Sequence, residues 1–284
     1  MALTKTPSLD GRRVLITGAA RGIGAELARR LHQRGARVAV AGLEPELLEA
    51  VAAETGGGPW RECDVADRDQ VEATVAYAVE ELGGLDVVVA NAGVAAQLPL
   101  IGGNPEIMER TLSVNVMGVY NTLRAAGPHI SHPGGYALPV ASLAAAVHAP
   151  LLGAYSASKA AVEALGNTLR VELRSSGAKV GVAYFAELDT DMTKRGFGTE
   201  AASKMKLGAT HVAPLKVGID ALERGIARRS RRVYAPRWVG PVLPVRMAVQ
   251  PLVDRGGQLG LRKALEAARR EDAPLTTGQP GADR

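Results

Sequence analysis

Cysteine is nearly absent from this chain: Cys63 is the one cysteine among 284 residues. A single cysteine cannot form an intrachain disulfide, so stability must come from a packed core, and this usage is typical of a reducing compartment. No apolar run approaches the roughly 20 residues of a membrane-spanning helix. Residues 1–10 also lack the apolar core of a secretion signal. The sequence therefore predicts a cytoplasmic protein.

Aromatic residues are also scarce, at 4%, while glycine is plentiful, at 33 residues. The five histidines (His32, His129, His132, His148 and His211) do not have the spacing of metal ligands, so we expect no metal site. His148 could line a pocket, although an ordinary loop histidine is the simpler interpretation. The chemistry must therefore rest on other side chains.

Positive charge is concentrated at one end of the chain. Residues 1–223 carry a net charge of −3 and residues 224–284 a net charge of +8. A basic tail can bind acidic partners or anionic lipid, but it is more often a solvated face. Few aromatic residues alternate with its arginines, which argues against nucleic-acid binding. Prolines at 241, 244 and 251 would break a long helix, so a cleft cover or a subunit interface is favoured over contact with a membrane surface.

The first forty residues have the pattern of a βαβ unit. A short β-branched strand ends at Thr17, a glycine-rich turn follows, and apolar residues then repeat at helical spacing until Gly35. The next strand covers residues 38–41. A strand, a glycine-rich turn, a helix and a second strand in this order are typical of a nucleotide-binding unit, because the glycines let the backbone approach a pyrophosphate at the helix N-terminus.

The alternation of strands and helices continues along the chain. Predicted helices cover residues 45–55, 67–82, 105–126 and 153–176, and predicted strands cover residues 60–65, 85–90, 136–141, 179–185 and 232–235. The pattern predicts an α/β fold, a Rossmann-type doubly wound parallel sheet in three layers. We assign residues 1–236 to this domain and residues 237–284 to a C-terminal extension. In the extension we expect a basic helix at 259–270 and disorder at 272–284.

Three polar residues could form a proton-transfer site. Ser142 follows a predicted buried strand, and Tyr155 and Lys159 lie one helical turn apart on one face. A nearby ammonium stabilises a phenolate and brings the tyrosine pKa towards neutral pH. By itself, however, Tyr-x-x-x-Lys is more often an ordinary pair on a helix surface.

Several motifs together resemble the short-chain dehydrogenase/reductase family. They are Thr-Gly-x-x-x-Gly-x-Gly at 17–24, Asn-Ala-Gly at 91–93, Asn115, Ser142 and Tyr-x-x-x-Lys at 155–159. The resemblance covers about residues 10–235. It implies an NAD(P)-dependent enzyme that transfers a hydride between the cofactor and an alcohol or ketone.

The resemblance also assigns roles to individual residues. It implies that Tyr155 exchanges the proton, Ser142 orients the substrate oxygen, Lys159 lowers the tyrosine pKa and holds the nicotinamide ribose, and Asn115 steadies a water. It further implies contacts with the cofactor, among them Asp64 with adenine and Thr190 with the carboxamide. The cofactor-binding residues that it implies, besides Tyr155 and Lys159, are Gly18, Arg21, Gly22, Ile23, Gly24, Gly42, Leu43, Glu44, Asp64, Val65, Asn91, Ala92, Gly93, Leu188 and Thr190.

Two positions depart from the family pattern. Where NAD-using members carry an aspartate after the second strand, this chain has Gly42, and Arg21 offers a cation for a 2′-phosphate. These residues favour NADP over NAD, unless Glu44 turns inward. The second departure is Phe185-Ala186, which replaces the usual Pro-Gly after the sixth strand and borders the nicotinamide.

The apolar segments 94–100, 143–152 and 192–207 predict a hydrophobic secondary alcohol or ketone as the substrate. The apolar and alanine-rich faces of the helices at 105–126 and 153–176 predict a homodimer or homotetramer. The alternative function is a cofactor-binding sensor or scaffold without turnover, against which the complete set of catalytic residues argues.

Overall fold

The computed structural model describes residues 7–193, 199–205, 212–271 and 275–276. The strands are β1 (Arg13–Thr17), β2 (Arg37–Gly42), β3 (Trp60–Glu62), β4 (Val87–Ala90), β5 (Tyr136–Pro139), β6 (Lys179–Val180), β7 (Val182–Phe185) and β8 (Arg232–Ala235). The helices are α1 (Gly22–Gln33), α2 (Pro45–Glu54), α3 (Arg68–Leu82), α4 (Pro105–Leu112), α5 (Gly118–Ile130), α6 (Gly153–Glu172), α7 (Glu200–Lys204), α8 (Leu215–Arg228), α9 (Val239–Val242), α10 (Arg246–Gly257) and α11 (Leu261–Glu271).

Six strands form a parallel sheet in the order β3-β2-β1-β4-β5-β6, and β7 pairs in parallel with β8. The β7–β8 pair extends the same surface, because Val140 bridges Ala183 and the Ala141 N–H donates to the Ala183 carbonyl at 2.8 Å. The predicted strand at 179–185 is thus interrupted at Gly181, where a side chain would collide with Tyr136. The strand order changes direction between β1 and β4, as in a doubly wound fold.

Each face of the sheet is covered by an apolar layer. On one face, Leu27 and Leu31 of α1 pack with Ile219 and Leu222 of α8. On the other face, α3, α5 and α6 pack on the sheet through residues such as Val75, Leu123 and Val162. Because both faces are buried, the central strands read as continuous apolar runs in the sequence. The predicted three-layer α/β fold is confirmed.

The predicted single helix at 105–126 is wrong in one respect. The structure has α4, then a π-helical turn at Ser113–Met117, and then α5. Asn115 lies inside the π-helical turn and is fully buried. π-Bulges insert one extra residue into a helix and frequently occur at functional sites, since they re-aim a side chain.

The C-terminal extension packs back onto the domain. In α10, Arg246 pairs with Glu163 of α6 at 3.0 Å, and the Gln250 side chain bonds the main chain of His148. The α11 helix packs against α7. The predicted helix at 259–270 corresponds to α11. Most of the segment predicted to be disordered lies outside the described residues, but Leu275 and Thr276 are described. In the described part of the chain, no helix is both long and apolar enough to span a bilayer.

Candidate active site

The glycine-rich turn after β1 is built for close backbone contact. Gly18 has a φ of +63°, and a Cβ there would lie 2.6 Å from the Cα of Ala92. A Cβ on Gly24 would clash with the Gly18 carbonyl. The Asn91 side chain fixes the turn by donating to the carbonyls of Thr17 and Gly18, each at 3.0 Å. These contacts explain why the motif needs glycine at 18 and 24.

The N-terminus of α1 has no side-chain cap. Arg21 is the N-cap residue, but its side chain makes no capping hydrogen bond, and the first turn contains no acidic residue. The first N–H groups of the helix therefore lack the partners that a serine or aspartate would provide. Together with the glycines, this arrangement fits the pyrophosphate of a dinucleotide.

The ribose end of the site contains an ion pair. Arg21 Nη2 lies 2.5 Å from Glu44 Oε1, and the Arg21 Nε is buried without a hydrogen-bond partner. Gly42, at the end of β2, has room for a Cβ, since the nearest atom to an added Cβ is 3.6 Å away. A clash at the Cβ is therefore not the reason for glycine at this position. Leu43, the next residue, leads from β2 to Glu44.

Asp64 and Val65 follow β3 at the same edge of the sheet. The Asp64 carboxylate accepts from Arg110 at 2.7 Å and from the Ala66 N–H at 3.0 Å. Val65 is buried, and its carbonyl accepts from Asn121 at 3.0 Å. The place of both residues fits the predicted adenine contact, which stays a prediction.

Asn115 connects two parts of the site. Its side chain accepts from the Val94 N–H at 2.8 Å and donates to the Val94 carbonyl at 2.9 Å. Its amide also donates to Ser158 Oγ at 3.0 Å, and Ser158 donates to the Tyr155 carbonyl at 2.7 Å. The π-helical turn thus ties the loop after β4 to the first turns of α6.

Lys159 is buried next to the end of β5. It is 4% exposed, and its Nζ donates to the Val140 carbonyl at 2.9 Å. Burial lowers the pKa of Lys159 from 10.5 to about 8. A Cβ on Gly93 would lie 3.4 Å from Nζ, so the glycine in Asn-Ala-Gly keeps the space in front of the lysine open.

Tyr155 and Ser142 are joined by a hydrogen bond between their side chains. Burial raises the pKa of Tyr155 above 10.0, and a hydrogen bond with the Ser142 side chain acts in the opposite direction. Lys159 Nζ lies 5.6 Å from the centre of the Tyr155 ring. Ser142 also donates to the Phe185 carbonyl at 3.3 Å. Burial outweighs the hydrogen bond with Ser142 in the present arrangement, so the pKa of Tyr155 is raised. The lowering of this pKa by Lys159 stays a prediction.

The segment after β7 forms the last side of the site. The Ala186 N–H donates to the Ala235 carbonyl at 3.0 Å, and Ala186 does not take the left-handed conformation that would need glycine. Leu188 is buried and bridges Ala213. Thr190 Oγ1 lies 3.1 Å from Thr193 Oγ1. The Phe185-Ala186 departure is therefore absorbed by ordinary pairing with β8.

Sequence reasoning missed two residues of the site. Thr17 Oγ1 accepts from the N–H groups of Asn91 and Ala92 at 3.2 and 3.3 Å. Ser158 is fully buried between Asn115 and Tyr155. Thr17 lies in the motif at 17–24 and Ser158 in the motif at 155–159. A polar side chain inside each motif is the sequence feature that could have indicated a role in the site. In the described residues, no group of three or more His, Cys, Asp or Glu side chains is arranged to hold a metal ion.

The chain is similar in sequence to relatives of known activity. The chain is 38% identical to a D-threitol dehydrogenase of Mycolicibacterium smegmatis, over 61% of this chain and 68% of that protein. It is 35% identical to a glycine betaine reductase of Emericella nidulans, over 70% of this chain, but the match spans just 16% of that much longer protein.

A solved structure shares the fold. It is a short chain dehydrogenase/reductase from Burkholderia phymatum in complex with NAD, with a TM-score of 0.75 and 22% identity, and the match covers 85% of this chain and 95% of that one. The model of the short chain dehydrogenase family matches residues 12–202. This match includes all four predicted catalytic residues and most of the sheet, and the chain therefore belongs to the short chain dehydrogenase family of oxidoreductases.

Proposed function

We propose that this chain interconverts a hydrophobic secondary alcohol and its ketone, with Tyr155 as the general acid and base. The observation that carries the proposal is the continuous set of hydrogen bonds from Val94 through Asn115 and Ser158 to the main chain of Tyr155. This set fixes the position of the tyrosine backbone beside a buried lysine. Such positioning is what proton transfer in the transition state requires.

The cofactor would be held by the glycine-rich turn, the uncapped N-terminus of α1 and Lys159. When bound, NAD(P) supplies or accepts the hydride. In the direction of reduction, the Tyr155 hydroxyl gives its proton to the substrate oxygen and becomes a phenolate. Ser142 donates a hydrogen bond to the same oxygen in place of its bond to Phe185. Lys159 balances the phenolate charge by turning its ammonium from the Val140 carbonyl towards Tyr155. In the direction of oxidation, the proton moves the opposite way.

The apolar character of two segments, one after β4 and one directly after Ser142, supports a hydrophobic substrate. In the loop after β4, residues 94–98 are all buried, and Gln97 is the one polar side chain among these five residues. Residues 143–147 are also apolar throughout. D-threitol, the substrate in the name of one relative, is a polyol and would need polar partners that these segments do not offer. We therefore place the substrate of this chain in a more apolar class.

Cofactor choice depends on the Arg21–Glu44 pair. The predicted preference for NADP required Glu44 to point away from the site, yet its carboxylate lies 2.5 Å from the Arg21 guanidinium. A 2′-phosphate would have to displace this carboxylate and tolerate its charge. We therefore propose that the chain with Glu44 favours NAD, and that Glu44 rather than residue 42 opposes NADP.

The Glu44→Gln variant tests cofactor choice. Removing the charge frees Arg21 for a phosphate, so we expect NADP to bind about tenfold more tightly and NAD to change little. Titration of both cofactors by fluorescence measures this. Tighter binding of NADP than NAD by the unaltered chain would contradict the proposal and restore the preference predicted from Gly42 and Arg21.

A panel of ketones and secondary alcohols tests the activity itself. We expect turnover with either cofactor, followed by nicotinamide absorbance, to increase with the apolar character of the substrate. Tight cofactor binding without turnover on any member would instead support the sensor or scaffold.

We also propose a homo-oligomer. On α5, Tyr120 is exposed, as are Met117 just before it and Val171 on α6, which is the kind of surface that an identical subunit covers. Sedimentation at micromolar concentration should show a species larger than 29.6 kDa.

A further inference from the structure

The loop after β4 is held from two sides at consecutive residues. Asn115 binds both main-chain groups of Val94. Thr276 binds both main-chain groups of Ala95, the residue after Val94, although it lies 181 positions further along the chain. The Thr276 hydroxyl accepts from the Ala95 N–H at 3.1 Å, and the Thr276 N–H donates to the Ala95 carbonyl at 3.1 Å. Thr276 is 5% exposed. The C-terminal extension is therefore bonded one residue away from the contact made by Asn115.

The extension also holds α7. The Glu271 carboxylate, at the end of α11, accepts from the N–H groups of Glu200 and Ala201 at 2.9 and 3.2 Å. These are the first N–H groups of α7, which otherwise lack helical partners. Thr199, just before α7, donates to the Gln97 side chain in the loop after β4. The loop and α7 therefore adjoin, and each is bonded to the extension.

A third contact reaches the segment that precedes Tyr155. Leu151 has a φ of +66°, a left-handed conformation that is strained for a branched side chain. Its carbonyl accepts from the Leu98 N–H at 2.8 Å, and its buried side chain packs in one cluster with Ala264 of α11 and Ala201 of α7. Such a conformation persists only where its surroundings hold it in place. Here, α11 is part of those surroundings.

From these contacts we propose that the C-terminal extension is part of the substrate site and forms its outer wall. Thr276 and Glu271 act as positioning residues: Thr276 fixes the loop at 94–98, and Glu271 fixes α7. Leu275 packs against the apolar cluster that contains Val94, which adds apolar surface to the same wall. The extension would thus contact the apolar part of a substrate that lies away from the reacting carbon. This inference rests on the proposed function.

Two conservative variants of the full chain test the proposal. Thr276→Val removes the hydroxyl that accepts from Ala95 and keeps the side-chain shape, and Glu271→Gln removes the charge from the cap of α7. Glu266→Gln is the matched control, because Glu266 is exposed on the same helix and pairs with Arg262, one turn away. The measurements are KM and kcat for a series of methyl ketones of increasing chain length, and the Kd of the cofactor.

We expect KM for the longest ketone to rise about tenfold in both variants, as the loss of one or two hydrogen bonds allows. KM for the shortest ketone, the cofactor Kd and all values for Glu266→Gln should change by less than about twofold. Equal effects at every chain length, or a cofactor Kd that weakens in parallel, would mean a general loss of stability and would overturn the proposal. So would unchanged kinetics in both variants.

Amide hydrogen exchange separates this proposal from the proposed function. In Thr276→Val, peptides that cover residues 94–98 should exchange faster, and in Glu271→Gln the same should hold for residues 199–205, while Glu266→Gln matches the unaltered protein. Unchanged exchange in both variants overturns the proposal. If the unaltered protein turns over no substrate, the proposed function fails, and the exchange result still decides whether the extension holds these segments.

Discussion

Replacing Lys159 by methionine should change how stability depends on pH. The native lysine is 4% exposed, and burial lowers its pKa from 10.5 to about 8. Below pH 8 the ammonium is charged in both the folded and the unfolded protein, so the folded state bears the full cost of burying it. Between pH 8 and 10.5 the folded state releases the proton while the unfolded state keeps it. Stability therefore rises with pH across this window.

The size of the effect follows from the shift in the Lys159 pKa. This shift lowers the free energy of unfolding by about 3 kcal/mol at low pH, and about 2 kcal/mol of that loss is recovered between pH 7 and 9.5. Lys159→Met has no such titration. It does leave the Val140 carbonyl without its donor, which costs about 1–3 kcal/mol at every pH. The difference in slope, rather than the stability at one pH, is thus the diagnostic quantity.

Urea denaturation of the cofactor-free protein at several pH values from 7 to 9.5 measures this slope. We expect the free energy of unfolding of the unaltered protein to rise by about 2 kcal/mol relative to that of the Lys159→Met variant across this pH range. Lys263→Met, at an exposed position of α11, is the control and should run parallel to the unaltered protein. Parallel curves for Lys159→Met and the unaltered protein would refute the conclusion that Lys159 is a buried group with a lowered pKa.

Two further variants test the framework of the site. Asn115→Ala removes the partner of both main-chain groups of Val94 and of the Ser158 hydroxyl. We expect the free energy of unfolding, measured in urea, to fall by about 2–4 kcal/mol and turnover to be lost. A fall of less than about 1 kcal/mol would contradict this. Gly24→Ala places a Cβ against the glycine-rich turn and should weaken cofactor binding at least tenfold by titration, whereas Gly127→Ala, where an added Cβ meets nothing within 4 Å, should leave binding unchanged. Equal cofactor affinity in the two glycine variants would show that the turn tolerates a side chain.

The fold could be predicted because its signals are local. The three-layer α/β fold follows from continuous apolar runs alternating with helical periodicity, and the glycine-rich turn lies between β1 and α1 as its spacing indicates. Asp86, just before β4, has a structural role, since its carboxylate accepts from the Arg13 side chain and main chain at 2.8–3.0 Å.

The π-helical turn that holds Asn115 left no such signal. Helical periodicity runs from α4 into α5 without interruption, and one extra residue in a turn does not alter the composition. The direction of Glu44 was also beyond the sequence. Pro45 biases Glu44 towards an extended backbone, and its φ of −111° and ψ of 93° agree. Its side chain, however, is directed by Arg21, which is 23 residues away.

The contacts of the extension are the most distant in sequence. Thr276 bonds a residue 181 positions away, and Glu271 bonds the N-terminus of α7 across 70 residues. No periodicity or motif links such pairs, and a polar, charged tail end reads as disordered by composition alone. The positions of Thr276 and Glu271 depend on where the folded domain places Ala95 and the N-terminus of α7.

The Tyr155→Phe variant tests the central claim most directly. The change removes the hydroxyl that carries the proton and leaves intact the glycine-rich turn, Lys159 and the hydrogen bonds around Asn115. With the best ketone of the panel, we expect kcat to fall about 10²–10⁴-fold, as for other general acid–base groups, while the Kd of the cofactor stays within about twofold. Retention of most of the rate, or a loss of cofactor binding that matches the loss of rate, would contradict the account.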